Sequence, residues 1–225
     1  MLQRVLGVSA LILMVAALYL IFIYAGVDIV QGEPFRIFYF HVPVLLMGYL
    51  SAFLLGSACT MYLMNSSPKW DRFGAISAEF GVLFAGTGTM SGMMWAKPIW
   101  GKYWVWWDVR LNLQLILVLL FVAYLMLRAY LPNPEKRATL SCVFGILAML
   151  DVPFNYLAIY FVSTKQHPGA VVSPGGGGTD TDMAIAFTCS LLAWCVTYAY
   201  LFTHRLAIAR IEDEVEFLEQ TVRAS

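Results

Sequence analysis

The sequence predicts an all-α integral membrane protein. It is a six-transmembrane-helix bundle with both termini in the cytoplasm and a short amphipathic C-terminal cytosolic helix. Three observations lead there. The 225 residues are 60% hydrophobic and 12% charged, whereas soluble domains sit near half apolar and a quarter charged. Six apolar runs reach the roughly 20 residues that cross a hydrocarbon core. Open sheets cannot span a bilayer, so helices are the physical default.

The runs follow one another at 5–27, 37–64, 73–96, 109–131, 138–162 and 183–205. The first exceeds the h-region of a signal peptide, about 7–15 residues, and lacks a small-x-small cleavage site, so it reads as the first transmembrane helix. Turn chemistry separates the runs: Gly32-Glu33-Pro34, Ser66-Ser67-Pro68, Lys97-Pro98, Pro132-Asn133-Pro134 and the long connection from Ser163 to Asp182. Residues 1–205 make one transmembrane domain and 206–225 a cytosolic tail. In that tail Ile208, Ile211, Val215 and Leu218 recur at spacings of three and four, one apolar stripe on a helix. Such a stripe packs on the bundle or on a partner.

Orientation follows from the basic residues. Nine of them (Arg4, Lys69, Arg72, Arg128, Lys136, Arg137, Arg205, Arg210, Arg223) fall on the side of the termini. Five (Arg36, Lys97, Lys102, Arg110, Lys165) fall on the other. The excess places the termini in the cytoplasm. A formal net charge of zero gives no basic face for nucleic acid. Cys59, Cys142, Cys189 and Cys195 lie inside apolar runs with no C-x-x-C pair and read as small hydrophobes.

Between Trp100 and Trp107 the chain reads W-G-K-Y-W-V-W-W, followed by Asp108. Four indoles in eight residues exceed what an interfacial belt requires. They make a flat apolar shelf suited to a large planar guest such as a porphyrin. His41, in Y-F-H-V-P, opens the second helix. His167, in Q-H-P-G, follows the fifth, and the tryptophan segment follows the third. Odd-numbered helices end on one face, so all three share a side whichever way the protein is inserted. Neutral imidazole ligates iron well, so two of them beside the shelf point to haem. Arg110, Lys102 and Lys97 are placed to meet propionates, arginine being suited to a bidentate grip. His204 lies on the opposite side and reads as structural.

Other polar features have more than one reading. Asp108 precedes the fourth helix and can cap it or touch the haem. Asp151 and Asn155 flank Pro153 on the fifth helix, where they can serve carbonyls freed by the proline or shape a pocket. Glu79 pairs with Arg72 or Lys69, or snorkels. G-T-G-T-M-S-G from Gly86 to Gly92 lacks the lysine of a phosphate loop and reads as a close-approach surface for a neighbouring helix. Four glycines, Gly175 to Gly178, make the His167 connection flexible enough to admit or release a ligand.

W-G-K-Y-W-V-W-W-D-V-R-L resembles the tryptophan-rich WWD signature of the haem handling protein family. Over nearly the whole chain, with H-V-P ahead of the signature, D-V-P-F in the fifth helix and H-P-G after it, the sequence is similar to the haem exporter C branch, CcmC, of cytochrome c maturation. The resemblance implies His41 and His167 as axial ligands of a non-covalent b-type haem. It implies Trp100, Gly101, Trp104, Trp106, Trp107 and Asp108 as the haem platform. It also implies the bacterial inner membrane, with the haem site on the periplasmic side. The implied partners are the periplasmic haem chaperone CcmE, ABC-transporter subunits of the same complex and membrane lipid. Two positions depart from the pattern. Trp106 and Trp107 are doubled, leaving open which one faces the haem, and Asn112 stands where threonine is usual. No nucleophile has a base in range and no metal-hydrolase spacing occurs, which argues for transport and presentation of haem rather than enzyme chemistry. The alternative is a small-solute permease or channel subunit, which would need charges lining a midplane path.

Overall fold

The computed structural model describes residues 1–161 and 181–224. Among them every extended element is helical. Helix α1 (Leu2–Tyr19) runs into a π-helical turn, Leu20–Tyr24, and a 3₁₀ turn, Glu33–Ile37, leads into α2 (Phe38–Asn65). Then come α3 (Pro68–Trp100), α4 (Val109–Tyr130), α5 (Pro134–Phe161) and α6 (Thr181–Ala224). Five of the six are long and apolar enough to cross a membrane, so the protein is a multi-pass membrane protein. The exception by composition is α3, which carries Lys69, Asp71, Arg72 and Glu79 in its first twelve residues and mostly small residues from Gly86 to Gly92. Its lower hydropathy fits its place. It packs along α2, α4 and α6 and so meets protein where α1 meets lipid. α1 in turn leaves Leu11, Ile12, Val15, Phe22 and Ile23 exposed, as a lipid-facing helix must.

The core has three parts. Leu55, Cys59, Leu117, Phe121, Tyr124 and Cys142 join α2, α4 and α5. Ile21, Phe38, Tyr39, Met183 and Ala186 join α1, α2 and α6. Phe80, Phe84, Tyr198 and Phe202 join α3 to α6. Small residues set the closest approach: a Cβ on Gly48 would stand 2.9 Å from the backbone of Ala85, so α2 and α3 touch main chain to main chain there. The glycine-rich run of α3 works the same way at Gly88, which makes room for Leu45, whereas Gly86 faces open space. Cys59 and Cys142 are buried in this core; Cys195 is exposed.

Contacts between elements settle the polar groups at several helix ends. Pro43 lacks the N–H that would bond the Tyr39 carbonyl, and Ser190 Oγ on α6 donates to that carbonyl at 2.5 Å. Arg36 donates to the carbonyls of Ile21 and Ala25, closing the end of α1. Gly26 N–H donates to Asp182 Oδ2 at 2.9 Å, joining the end of α1 to the start of α6.

At the opposite end three ion pairs fasten α3. Asp71 binds Arg128 of α4 through both carboxylate oxygens, Glu79 binds Arg205 of α6 at 2.9 and 3.2 Å, and Arg72 binds Asp213. Glu79 therefore pairs across the bundle. Arg72 and Lys69 lie two and three turns back on its own helix, and Arg72 is taken by Asp213. Helix α6 passes the expected boundary at Arg205–Leu206 without a break. Likewise α3 continues through Lys97-Pro98 to Trp100, because a proline three residues from the end interrupts little of the remaining ladder.

Candidate functional site

The site residues gather where α2 begins, α3 ends and α4 begins. Gly101 ends α3 with φ +72°, the left-handed conformation that glycine adopts without strain, and its N–H returns to the Lys97 carbonyl at 3.0 Å. The chain then crosses to α4 in seven residues. Val105 turns inward and is buried, while Trp106 and Trp107 stand 70% and 69% exposed. Trp104 is half-buried and meets Trp106 with ring centroids 6.0 Å apart at 61°. Its indole Nε1–H is buried with no hydrogen-bond partner among the described residues. Lys102 lies over the Trp107 ring at 5.1 Å, and Lys97 over Tyr103 at 5.0 Å. The loop thus presents adjacent aromatic rings, two of them with an ammonium group over one face.

Asp108 anchors the far side of the loop. It is fully buried, and Oδ1 accepts the N–H groups of Arg110 and Leu111 at 3.0 and 3.1 Å, a helix N-cap. Asn112 Nδ2 donates to the Trp106 carbonyl at 2.6 Å, so the residue at the usual threonine position ties the loop to α4. Arg110 takes part in a polar knot through its main chain. The Tyr49 hydroxyl donates to Asn155 Oδ1 at 3.2 Å, and Asn155 Nδ2 donates to the Arg110 carbonyl at 3.3 Å. Asn155 therefore joins α5 to α2 and α4 instead of serving a carbonyl freed by Pro153. Asp151 is buried one turn away, and its Oδ2 has no hydrogen-bond partner among the described residues.

His41 sits in the first turn of α2, against α3. Its Nδ1 lies 2.9 Å from the Gly88 carbonyl and 3.2 Å from Ser91 Oγ. A carbonyl only accepts, so Nδ1 carries a proton; in the neutral ring Nε2 then bears the lone pair, the tautomer in which a metal-ligating imidazole is commonly held. Gly92 makes this possible: a Cβ there would stand 2.7 Å from His41 Cε1. Nine residues of α3 separate Ser91 from Trp100, a rise of about 13 Å, so His41 lies deeper along the bundle than the loop. Trp95 fills the interval. Its ring meets His41 at 5.8 Å, packs against Phe35 and Phe38, and donates Nε1–H to Gln31 Oε1 at 3.0 Å.

The structure brings together His41 and the tryptophan loop at one end of the bundle. Asn155 beside Arg110 shows that α5 also ends there. His167 and Gly175 to Gly178 lie outside the described residues. His204 is exposed at the opposite end, beside Tyr200. Sequence reasoning did not single out Tyr49 or Trp95. Tyr49 carries no local pattern, whereas Trp95 stands at helical spacing, three residues past Gly92, and that was its available signal. Among the described residues no three His, Cys, Asp or Glu side chains gather as a metal site.

These features define a multi-pass membrane protein with an open, tryptophan-lined face at one end of its bundle. The family model described as CcmC, heme exporter protein C, matches residues 1–222, and the chain belongs to that family. It is similar to a protein of Marchantia polymorpha named putative cytochrome c biosynthesis ccmC-like mitochondrial protein, with 29% identity over 69% of this chain and 65% of that one. The heme exporter protein C of Bradyrhizobium diazoefficiens is 28% identical over 88% of this chain and 72% of its own length. That of Escherichia coli K12 is 26% identical over 88% and 77%. The chain thus spans just under two thirds of the Marchantia protein.

Proposed function

We propose that this protein handles haem in cytochrome c biogenesis: it binds haem at the outer face of the bacterial inner membrane and presents it to the periplasmic chaperone CcmE. The family and the names of its relatives supply the cargo. The observation that carries the site is His41, its proton held on Nδ1 by the Gly88 carbonyl at the end of the bundle that bears the indoles. In this reading Nε2 of His41 and an imidazole nitrogen of His167 take the axial positions of a non-covalent b-type haem. Trp100, Gly101, Trp104, Trp106 and Trp107 form its platform.

Each residue type supports a distinct task. The exposed faces of Trp106 and Trp107 bury the macrocycle by stacking. Trp104 Nε1–H is a buried donor available to an acceptor on the ligand. Lys97 and Lys102 meet carboxylates at the membrane boundary, and Arg110 contributes charge from inside the bundle. Asp108 holds the loop through the α4 cap. His41 lies deeper along α3 than the loop, so the two would hold different parts of the same ligand. Both termini, residues 206–225 and the surface for ABC-transporter subunits lie on the cytoplasmic side.

Delivery tests the reading. In cells making the chaperone, His41→Ala and Trp104→Ala each lower the yield of haem-loaded chaperone by about tenfold or more, a loss of one key contact, whereas His204→Ala leaves it unchanged. Normal yield in both of the first two, or loss in the third, contradicts the assignment.

A further inference from the structure

Helix α6 is 44 residues long, a rise of about 66 Å against a hydrocarbon core of about 30 Å. Its last stretch therefore runs well clear of the membrane, at the end opposite the tryptophan loop. Two contacts fix how this stretch is turned. Ala209 is buried against the core that contains Ile76 and Phe80, and Asp213 is bound to Arg72 of α3. The side bearing Ala209 and Asp213 faces the bundle.

The other side carries Ile208, Ile211, Val215, Leu218 and Val222, all exposed. Their spacings are three, four, three and four, the a/d alternation of a coiled-coil seam. In that frame Ala209 and Asp213 fall at b and f, away from the seam, as their contacts require. The flanking e and g positions are Glu212, Glu214 and Glu219, with Thr221 last. From 206 to 224 there are five acidic and two basic residues, and both basic ones, Arg210 and Arg223, lie off the flanks. Glu212 and Glu219 do reach Arg205 and Arg223 at 3.1 and 3.6 Å. These are exposed pairs of small worth, and the flanks stay acidic.

The acidic flanks choose the occupant. A second copy of this helix places glutamate opposite glutamate, Glu214 against Glu219 in a parallel pair and like against like in an antiparallel one, which disfavours self-pairing. Helices that lie on a lipid surface carry lysine and arginine beside their apolar face, and here those places are acidic. We propose that the seam of α6 docks a helix of another protein that has apolar a and d positions and basic flanks, forming a short heterotypic coiled coil. This holds whichever way the protein is inserted and does not depend on the haem reading.

The full chain in neutral detergent tests it with two synthetic peptides of about three heptads. Both have isoleucine and leucine at a and d; one has lysine and the other glutamate at e and g. The lysine peptide binds, more weakly as salt rises, and the glutamate peptide does not. Ile211→Ala with Val215→Ala cuts that binding by about tenfold or more, without changing charge or the protein's elution. Phe217→Ala, off the seam, keeps it. Equal binding of both peptides, no binding of the lysine peptide, or equal loss in the two variants overturns the proposal. So does dimerisation of the full chain that the double variant abolishes. In lipid nanodiscs, a Val215→Cys thiol already shielded from a water-soluble maleimide assigns the seam to the lipid surface instead.

Discussion

The imidazole of His41 depends on an atom that is missing. Gly92 leaves the space in which the ring lies, and Gly88, one turn earlier, supplies the carbonyl that holds Nδ1. Gly92→Ala adds about 1 kcal/mol of helix propensity yet drives a methyl group against Cε1, so the ring must shift. The expected variant melts no lower than the parent but binds haem more weakly, read by haem titration at 25 °C or near it; unchanged affinity contradicts the packing account. His41 was legible in the sequence because it opens a helix on the side of the tryptophans. The job of Gly92 was only half legible. Small residues at close spacing announce a neighbour, but which side chain fills the gap depends on the rotation of α2 about its axis, which no local pattern encodes.

At the scale of elements, the H-V-P string is a helix start that needs a partner helix to complete it. Pro43 strips the Tyr39 carbonyl of its bond and Ser190, 151 residues away in sequence, replaces it. Ser190→Ala leaves that carbonyl buried and unmet, at a cost of about 1–3 kcal/mol, so thermal unfolding in detergent shifts downward; an unshifted midpoint contradicts this role. Asp108 separates two roles in one residue. Asparagine caps nearly as well as aspartate, and alanine loses about 1 kcal/mol. If the carboxylate only caps, Asp108→Asn keeps both stability and haem while Asp108→Ala loses stability. If Asp108→Asn stays stable but loses haem, the charge itself meets the ligand. Helix positions were readable from apolar runs and turn residues, and the cap from Asp108 standing before Val109. The Tyr49–Asn155–Arg110 knot was not, because it joins three helices through residues that each have an ordinary polar reading alone.

Over the whole molecule, the two ends of the bundle differ in kind. One end is closed by ion pairs that lock α3 to α4 and α6. The other leaves aromatic surface open, Trp106 and Trp107 above all. This division was legible in outline, since the crowding of indoles and the parity of helix ends are properties of the chain order. The pairing of Glu79 with Arg205 was not, because it couples residues 126 positions apart. The central claim is that the open end binds haem through two imidazoles. The direct measurement is the absorption spectrum of the purified, detergent-solubilised protein beside a His41→Ala/His167→Ala double variant. A six-coordinate haem spectrum in the parent, lost in the variant, is the predicted result. A parent that stays colourless after haem is added, or a variant with the parent's spectrum, contradicts it.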